Sequence, residues 1–435
     1  MKFLRVALVV LIAFGVLSLG AVEVWSQSVI EIGAAVLLVC WAAIAWFRPE
    51  TKVRWNPLNW PLLGFIAIAG MQLLFRATAS PFLTRTELLR FTAYFIIFFL
   101  IAQAFRTRSD WLRLAWFVVL FGFGVSLFGI AQHFTSSNEI YWMRSLRTDV
   151  QPFGPYVNRN DFAGFVELTL PIGLALLIFR GVHRDLFPML TLLTVIPVSA
   201  AVLSTSRAGI IGIALEIGIL LFLAARRRGS PRRRHASRNL ALGLAAVVAM
   251  AFVAWLGVGR LAERLSQLSH PEVTMSRRIS MARGAVDIFL AHPLKGCGLG
   301  AIVDVFPRYD TDYDGKVVDH VHNDYLEELA EAGILGAVCG LSFLWLLYRG
   351  ARESLEAEQG HFSYALHAGA IAAVCGLLLH SFVDFNLHIP GNAILFLLEV
   401  SIVTCPPLPP ASRMRAPRAT PGAERPAQDV PVPQP

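Results

Sequence analysis

Long uninterrupted apolar runs constrain this chain more than any other feature. Leu8–Leu19, Ile96–Ala102 and Ile210–Ala225 sit in apolar windows close to the roughly 20 residues a helix needs to cross a bilayer. Their hydrophobicity is continuous and does not alternate, which is the pattern of helices and not of outer-membrane barrel strands. The chain is 55% hydrophobic and 16% charged, against about 25% charged in soluble domains. A fully soluble enzyme is excluded. Lys2 and Arg5 precede the first run as in a signal peptide. No small-x-small cleavage site follows, and a second hydrophobic segment comes at once, so the run reads as a retained span.

The expectation is an all-α membrane protein of about twelve transmembrane helices with one long, partly helical external loop. The spans are expected at 4–22, 28–47, 57–76, 88–106, 112–134, 161–180, 186–205, 208–225, 239–257, 333–350, 363–385 and 389–405. Orientation follows from basic connections, which stay in the cytoplasm. Arg226, Arg227, Arg228, Arg232, Arg233, Arg234 and Arg238 crowd one of them. Placing it inside puts Lys2/Arg5, Arg48/Lys52/Arg54, Arg106/Arg108/Arg113, Arg180/Arg184 and Arg349/Arg352 inside as well, with both termini.

That topology explains the net charge of +8. No basic stretch interleaved with aromatics suggests nucleic acid. Segments 135–160 and 258–332 fall outside, the latter inserted into a membrane domain of 1–405. Residues 406–435, rich in Pro, Ala and Arg, read as a disordered cytoplasmic tail. Cys40, Cys339, Cys375 and Cys405 lie in apolar stretches and Cys297 stands alone in the loop, so neither a disulfide framework nor zinc spacing is present.

The polar residues on the external side carry the chemistry. In the segment His322–Gly336, Asn323 or His322 can cap a helix, with Asp324 favourable in its first turn. At about 100° per residue, His322, Gly333 and Gly336 share one face, whose small residues would admit a close neighbour. A neutral imidazole there can take a proton from a hydroxyl near pH 7, although an ordinary capping histidine fits the spacing too.

Arg207 follows Ser204-Thr205-Ser206 at a span junction, and Arg278 lies in Ser276-Arg277-Arg278-Ile279. Guanidinium groups match phosphate oxygens, so two of them on one face suit a diphosphate. A snorkelling anchor and a solvated loop charge are the structural alternatives. Asn158 and Asn160, Arg85 and Arg90, and His380, Asp384, Asn386 and His388 gather on the same side. Asp384 can orient a histidine or pair with an arginine.

Two patterns carry less. Asp310-Thr311-Asp312-Tyr313-Asp314-Gly315 copies the opening of a calcium loop, but Val321 stands where the bidentate Glu belongs. Gly296-Cys297-Gly298-Leu299-Gly300 reads as a turn. His320 and His322 with Asp319 lack a further metal ligand, so no metal is expected.

His322 to Gly336 resembles the His-Asn, nine residues, Gly-x-x-Gly signature of the O-antigen ligase family, which shares a superfamily with Wzy-type polymerases. Val157–Gly164, Ser204–Arg207, the stretch from Arg278 through His292–Gly298, His380–Asn386 and Ile389–Asn392 agree in order and spacing, over about 150–395. The loop departs from the family at Ala282, where a large aromatic is expected. That leaves open which of Arg277, Arg278 and Arg283 meets phosphate.

The resemblance implies a glycosyltransferase in the bacterial inner membrane with its active site facing the periplasm. It implies an undecaprenyl-diphosphate-linked glycan donor, a lipid A–core or glycan acceptor, and no cofactor. By it, His322 is the base and Arg207 and Arg278 bind the diphosphate; Asn158, Asn160, Asn323, Asp384 and Arg90, from the polar residues of the same side, are the candidates for support. The reaction expected is metal-independent inverting transfer by a ligase or a polymerase. A polysaccharide or lipid transporter is the rival of another class. It would place ionisable groups near the membrane midplane, whereas here they gather at one face.

Overall fold

The computed structural model describes residues 1–48, 50, 52–136, 139–145, 152–227, 275–357 and 360–406. Its helices are α1 (Lys2–Leu17), α2 (Val24–Trp46), α3 (Asn59–Leu74), α4 (Pro81–Ala104), α5 (Arg108–Thr135), α6 (Arg159–Ile178), α7 (Phe187–Leu203), α8 (Arg207–Arg226), α9 (Met275–Ala291), α10 (Ile302–Val305), α11 (Asp324–Glu356), α12 (His361–His380) and α13 (Pro390–Val403). Among the described residues, eight helices are long and apolar enough to cross a membrane: α2, α4–α8, α11 and α12. They stand against an expected twelve. The helices α1, α3 and α13 coincide with expected spans but are shorter. The span at 239–257, the arginines from Arg228 to Arg238 and the tail from 407 lie outside the described residues. A two-residue hairpin, β1 (Glu139–Ile140) with β2 (Arg144–Ser145), is a small addition to the all-α plan.

The bundle is built around α6, which is mostly apolar and buried on every side beyond its first two residues. A helix without a polar face belongs at the centre, and α5, α7, α8, α12 and α13 surround it. Peripheral helices turn residues such as Val36, Val39 and Trp46 outward, as lipid-facing helices do.

Basic connections occupy one end of the bundle. Arg5 pairs with Asp110, Arg106 donates to the carbonyl of Lys52 at 2.9 Å, and Arg108 and Arg227 lie over the rings of Phe362 and Tyr364. The opposite end gathers the starts of α6, α8, α11 and α13 and the end of α12. Three of those starts carry side-chain caps: Asn158 accepts from Asn160, Ser206 from Gly209, and Asn323 from Leu326.

Residues 275–332 form a subdomain on that second end. Met281, Ala285 and Ile288 of α9 pack with Cys297, Ile302, Phe306 and Val321 into a core of their own. Gly296, Gly298 and Gly300 all have positive φ, so this stretch is the turn that the sequence suggests.

Gly333 departs from expectation. It has φ 63 and ψ −155 and breaks α11, so the helix face inferred from Gly333 and Gly336 is not continuous. Its neighbour is the turn 294–296 and not another helix. A Cβ on Gly333 would lie 2.7 Å from the amide nitrogen of Gly296. The hydrogen bonds Cys297 N to Ala330 O (2.9 Å) and Gly298 N to Glu331 O (3.1 Å) clamp the two backbones together.

Candidate active site

His322 directly precedes the cap Asn323 and adopts φ 55, in the left-handed region that few residues other than glycine enter. The hydrogen bond from Leu326 N to Asn323 Oδ1 starts α11 immediately afterwards, and Asn323 Nδ2 donates to the carbonyl of Phe382. Asp324 N donates to Ser381 O at 3.0 Å. The segment is thereby pinned to the turn that follows α12.

That turn supplies Asp384. Its Oδ1 lies 3.2 Å from Nδ1 of His322, and its Oδ2 accepts from Asn160 Nδ2 at 2.7 Å. The histidine side chain is 17% exposed and the carboxylate 1%. Burial works to raise the Asp384 carboxyl, but the hydrogen bond and charge of His322, with the charges of His380 and Arg278, outweigh it and hold the acid below its ordinary range. A charged Asp384 on Nδ1 leaves Nε2 of His322 as the basic nitrogen, the assignment following from the partners.

The arginines separate cleanly. Arg277 is buried in the subdomain, bidentate on Asp310 at 2.5 and 2.8 Å, and donates to Asp312 O. These bonds push the guanidinium up and the Asp310 carboxyl down from their ordinary values. Arg277 thus occupies the cation seat of the calcium-like motif. Arg278, half-buried, donates to Val383 O at 2.5 Å, next to Asp384. Arg283 is exposed on α9.

Arg207 is exposed at the first position of α8. Its turn is tied to the cluster because Arg159 donates to Thr205 at 2.7 Å while the adjacent Asn160 holds Asp384. Asn158 caps α6. Arg90 stands apart, paired with Glu87 at 2.8 Å, and lines a cavity of about 400 Å³ with Glu328, Glu331 and His388 at its polar end and Phe65, Phe91 and Phe396 along its walls.

A second constellation adjoins the first. His320 Nδ1 meets Glu327 Oε1 at 2.6 Å, and His388 meets Asp324 at 2.7 Å and Glu327 at 3.5 Å. Among the described residues, His320, Glu327 and His388 form the one group whose ligand atoms fit a metal, all within 4.8 Å. His320 therefore joins Glu327 and His388, not Asp319 and His322 as the sequence option had it. Burial would lower His388, but the Glu327 and Asp324 carboxylates outweigh it and raise it well above its usual value.

Sequence reasoning missed a further set. Glu167, Glu216 and Glu399 are fully buried within α6, α8 and α13. Ionisable groups are therefore not confined to one end of the bundle, and that argument against a transporter does not hold. Their signal was present as single acids inside apolar spans.

The fold and this seam of polar helix ends define a multi-pass helical membrane protein with a histidine–carboxylate–arginine site at one end of its bundle. A family model described as O-antigen ligase matches residues 192–341. That segment, about a third of the chain, is thus similar to the O-antigen ligase family, and the match supports glycosyl transfer of the ligase and polymerase type. Arg207, Arg278 and His322 lie inside the match and Asp384, Asn160 and Arg90 outside it. No curated protein shows significant similarity to the chain.

Proposed function

We propose that the chain is a glycosyltransferase that moves a glycan from an undecaprenyl-diphosphate carrier to an acceptor hydroxyl on lipid A–core, at the periplasmic face of the inner membrane. The observation that carries this reading is the His322–Asp384 pair with Arg278 bound one residue away. A base oriented by a buried carboxylate, beside a guanidinium, is what the attack of a hydroxyl on a diphosphate-activated sugar requires.

In the reaction, His322 Nε2 takes the proton as the acceptor oxygen bonds to the anomeric carbon. The bond from that carbon to the phosphate oxygen breaks, and its electron pair leaves with the diphosphate. Attack opposite the leaving group inverts the anomeric centre, and no metal is needed. Arg207 and Arg278, with the N-termini of α8 and α6, favour the anionic leaving group. The apolar walls of the 400 Å³ cavity suit the isoprenoid chain, and Asp324 and His388 link its polar end to the His322 segment.

The position of the basic connections, at the opposite end from His322, supports the periplasmic side by the positive-inside rule. The test is glycan transfer by the purified protein in liposomes with a lipid-linked donor. Wild-type turnover by a folded His322→Ala variant would sink the assignment. A polymerase differs in acceptor alone. Deletion of the gene separates the two: polymer stalled on its carrier indicates a ligase, single repeat units a polymerase.

A further inference from the structure

Helix α9 presents apolar residues on two opposite faces. At about 100° per residue, Met281, Ala285 and Ile288 share the face that packs into the core of the subdomain. Ile279, Val286 and Leu290 fall within about 40° of one another on the opposite face, and all three are exposed. A helix on the surface of a domain buries one apolar stripe, so the second face calls for a second apolar neighbour.

The two tethers of α9 fix where that neighbour lies. Near its start, Arg278 donates to the carbonyl of Val383, in the turn after α12 ends at His380. Just past its end, Pro293 O accepts from Ile334 N at 2.9 Å and Leu294 O from Leu335 N at 3.3 Å. Ile334 resumes α11 after the break at Gly333, and Ser354, which donates to Val403 O at the far end of α13, follows about 20 residues later. That length is roughly 30 Å of helix, the thickness of a hydrocarbon core. Both tethers thus stand where membrane helices reach the outer boundary of the bilayer, and α9, about 25 Å long, runs along that boundary.

The outward stripe is also continuous with a lipid-facing surface. Leu290 leads to Leu294, which is 62% exposed and bonded through its carbonyl to Leu335. There the outward face of α11 begins, with Val338, Leu341 and Trp345 exposed along it. Charged residues border the stripe without interrupting it: Arg283 and Asp287 edge one side and Lys295 lies just past its end, all exposed. Long basic side chains can lay their stems on an apolar surface and keep their charge among phosphates.

We propose that α9 is an interfacial helix that docks the subdomain onto the outer leaflet of the bilayer. Ile279, Val286 and Leu290 enter the acyl boundary, and Arg283 and Lys295 meet phospholipid phosphates. The docking itself needs only the membrane embedding of α11 and α12. For the transferase reading above it has one consequence: Arg278 rides on the same helix, so docking holds its guanidinium at the depth of lipid phosphates.

The test uses the full chain, its five native cysteines replaced by serine, in liposomes of phosphatidylethanolamine and phosphatidylglycerol. A nitroxide is placed on Val286→Cys, Leu290→Cys or Asp287→Cys, and its collisions with oxygen and with a water-soluble nickel chelate are measured. The ratio of oxygen to nickel access is expected to be at least about threefold higher at positions 286 and 290 than at 287. Equal nickel access at all three positions would overturn the proposal. So would protection of 286 and 290 from both reagents, which means that protein covers the stripe, either residues 228–274 or a second copy. Val286→Asp with Leu290→Asp should lower transfer in liposomes at least about fivefold, with a melting temperature in detergent within about 2 °C of wild type. Wild-type transfer by that variant would remove the role of docking in placing Arg278. Depth is read without substrate, so failure of the transferase reading is a separate result.

Discussion

The carboxylate of Asp384 stands 3.2 Å from Nδ1 of His322, although the two are separated by 62 positions in the chain. The hydrogen bond fixes the ring and its tautomer, so the two residues act as one device. Asp384→Asn keeps the shape but loses the charge, and it can donate to Nδ1 and leave the proton on Nε2. Its kcat is expected to fall on the order of 10²–10⁴-fold, as for His322→Ala. The double variant should be no worse than either alone, since the effects of a coupled pair do not add. Additive losses in the transfer assay would show that Asp384 acts separately.

Arg277 and Arg278 adjoin in sequence and part in structure. Arg277→Ala strands the buried Asp310 carboxylate and is expected to cost about 3–5 kcal/mol of stability, read as a lower melting temperature. Arg278→Ala should leave melting unchanged and reduce kcat/KM, with partial recovery by Arg278→Lys. The pH dependence has a definite sign. The Asp310 carboxyl is depressed in the folded protein, chiefly by its hydrogen bond to Arg277, so its contribution is complete above the unfolded value. It is lost as pH falls through the folded one. Melting curves taken into the acid range should therefore show a steeper loss for wild type than for Arg277→Ala.

Gly296 and Gly333 carry the junction of subdomain and bundle. Each has positive φ, and a Cβ on either would strike backbone of the other segment. Gly333→Ala combines strain of about 1–2 kcal/mol with a clash that no rotamer relieves, and it should abolish folded expression. Gly315 also has positive φ, but open space surrounds it. Gly315→Ala is expected to cost about 1 kcal/mol and to leave transfer intact. Equal melting losses for the two would refute the junction argument.

The helices were legible in the sequence because a span declares itself by its own composition. Asn323 as a cap was legible because capping is local. Long-range pairings were not: nothing near Asp384 announces His322 and Asn160, and neighbouring Arg277 and Arg278 have the same chemistry until packing divides them. The break at Gly333 was hidden because glycine serves equally as a small interface residue and as a positive-φ residue. The acids at 167, 216 and 399 were visible as letters, and only packing shows that all three are fully buried.

The cluster of His320, Glu327 and His388 has the donor atoms of a zinc site, and its partners decide between metal and proton. Val321 N donates to Glu327 Oε2 at 2.8 Å, and Glu327 Oε1 meets His320 at 2.6 Å. Asp324 meets His388 Nδ1 at 2.7 Å and Glu327 stands 3.5 Å from its Nε2, so a proton on each ring nitrogen has a carboxylate to face. The network is complete with protons. Purified protein is therefore expected to retain transfer activity after dialysis against a chelator and to contain no stoichiometric divalent metal by elemental analysis. His388→Gln should lower the melting temperature, because it leaves two buried carboxylates facing each other without their cation. One metal per chain, lost together with activity on chelation and absent from His388→Gln, would reverse this assignment and make the cluster a metal centre beside the base.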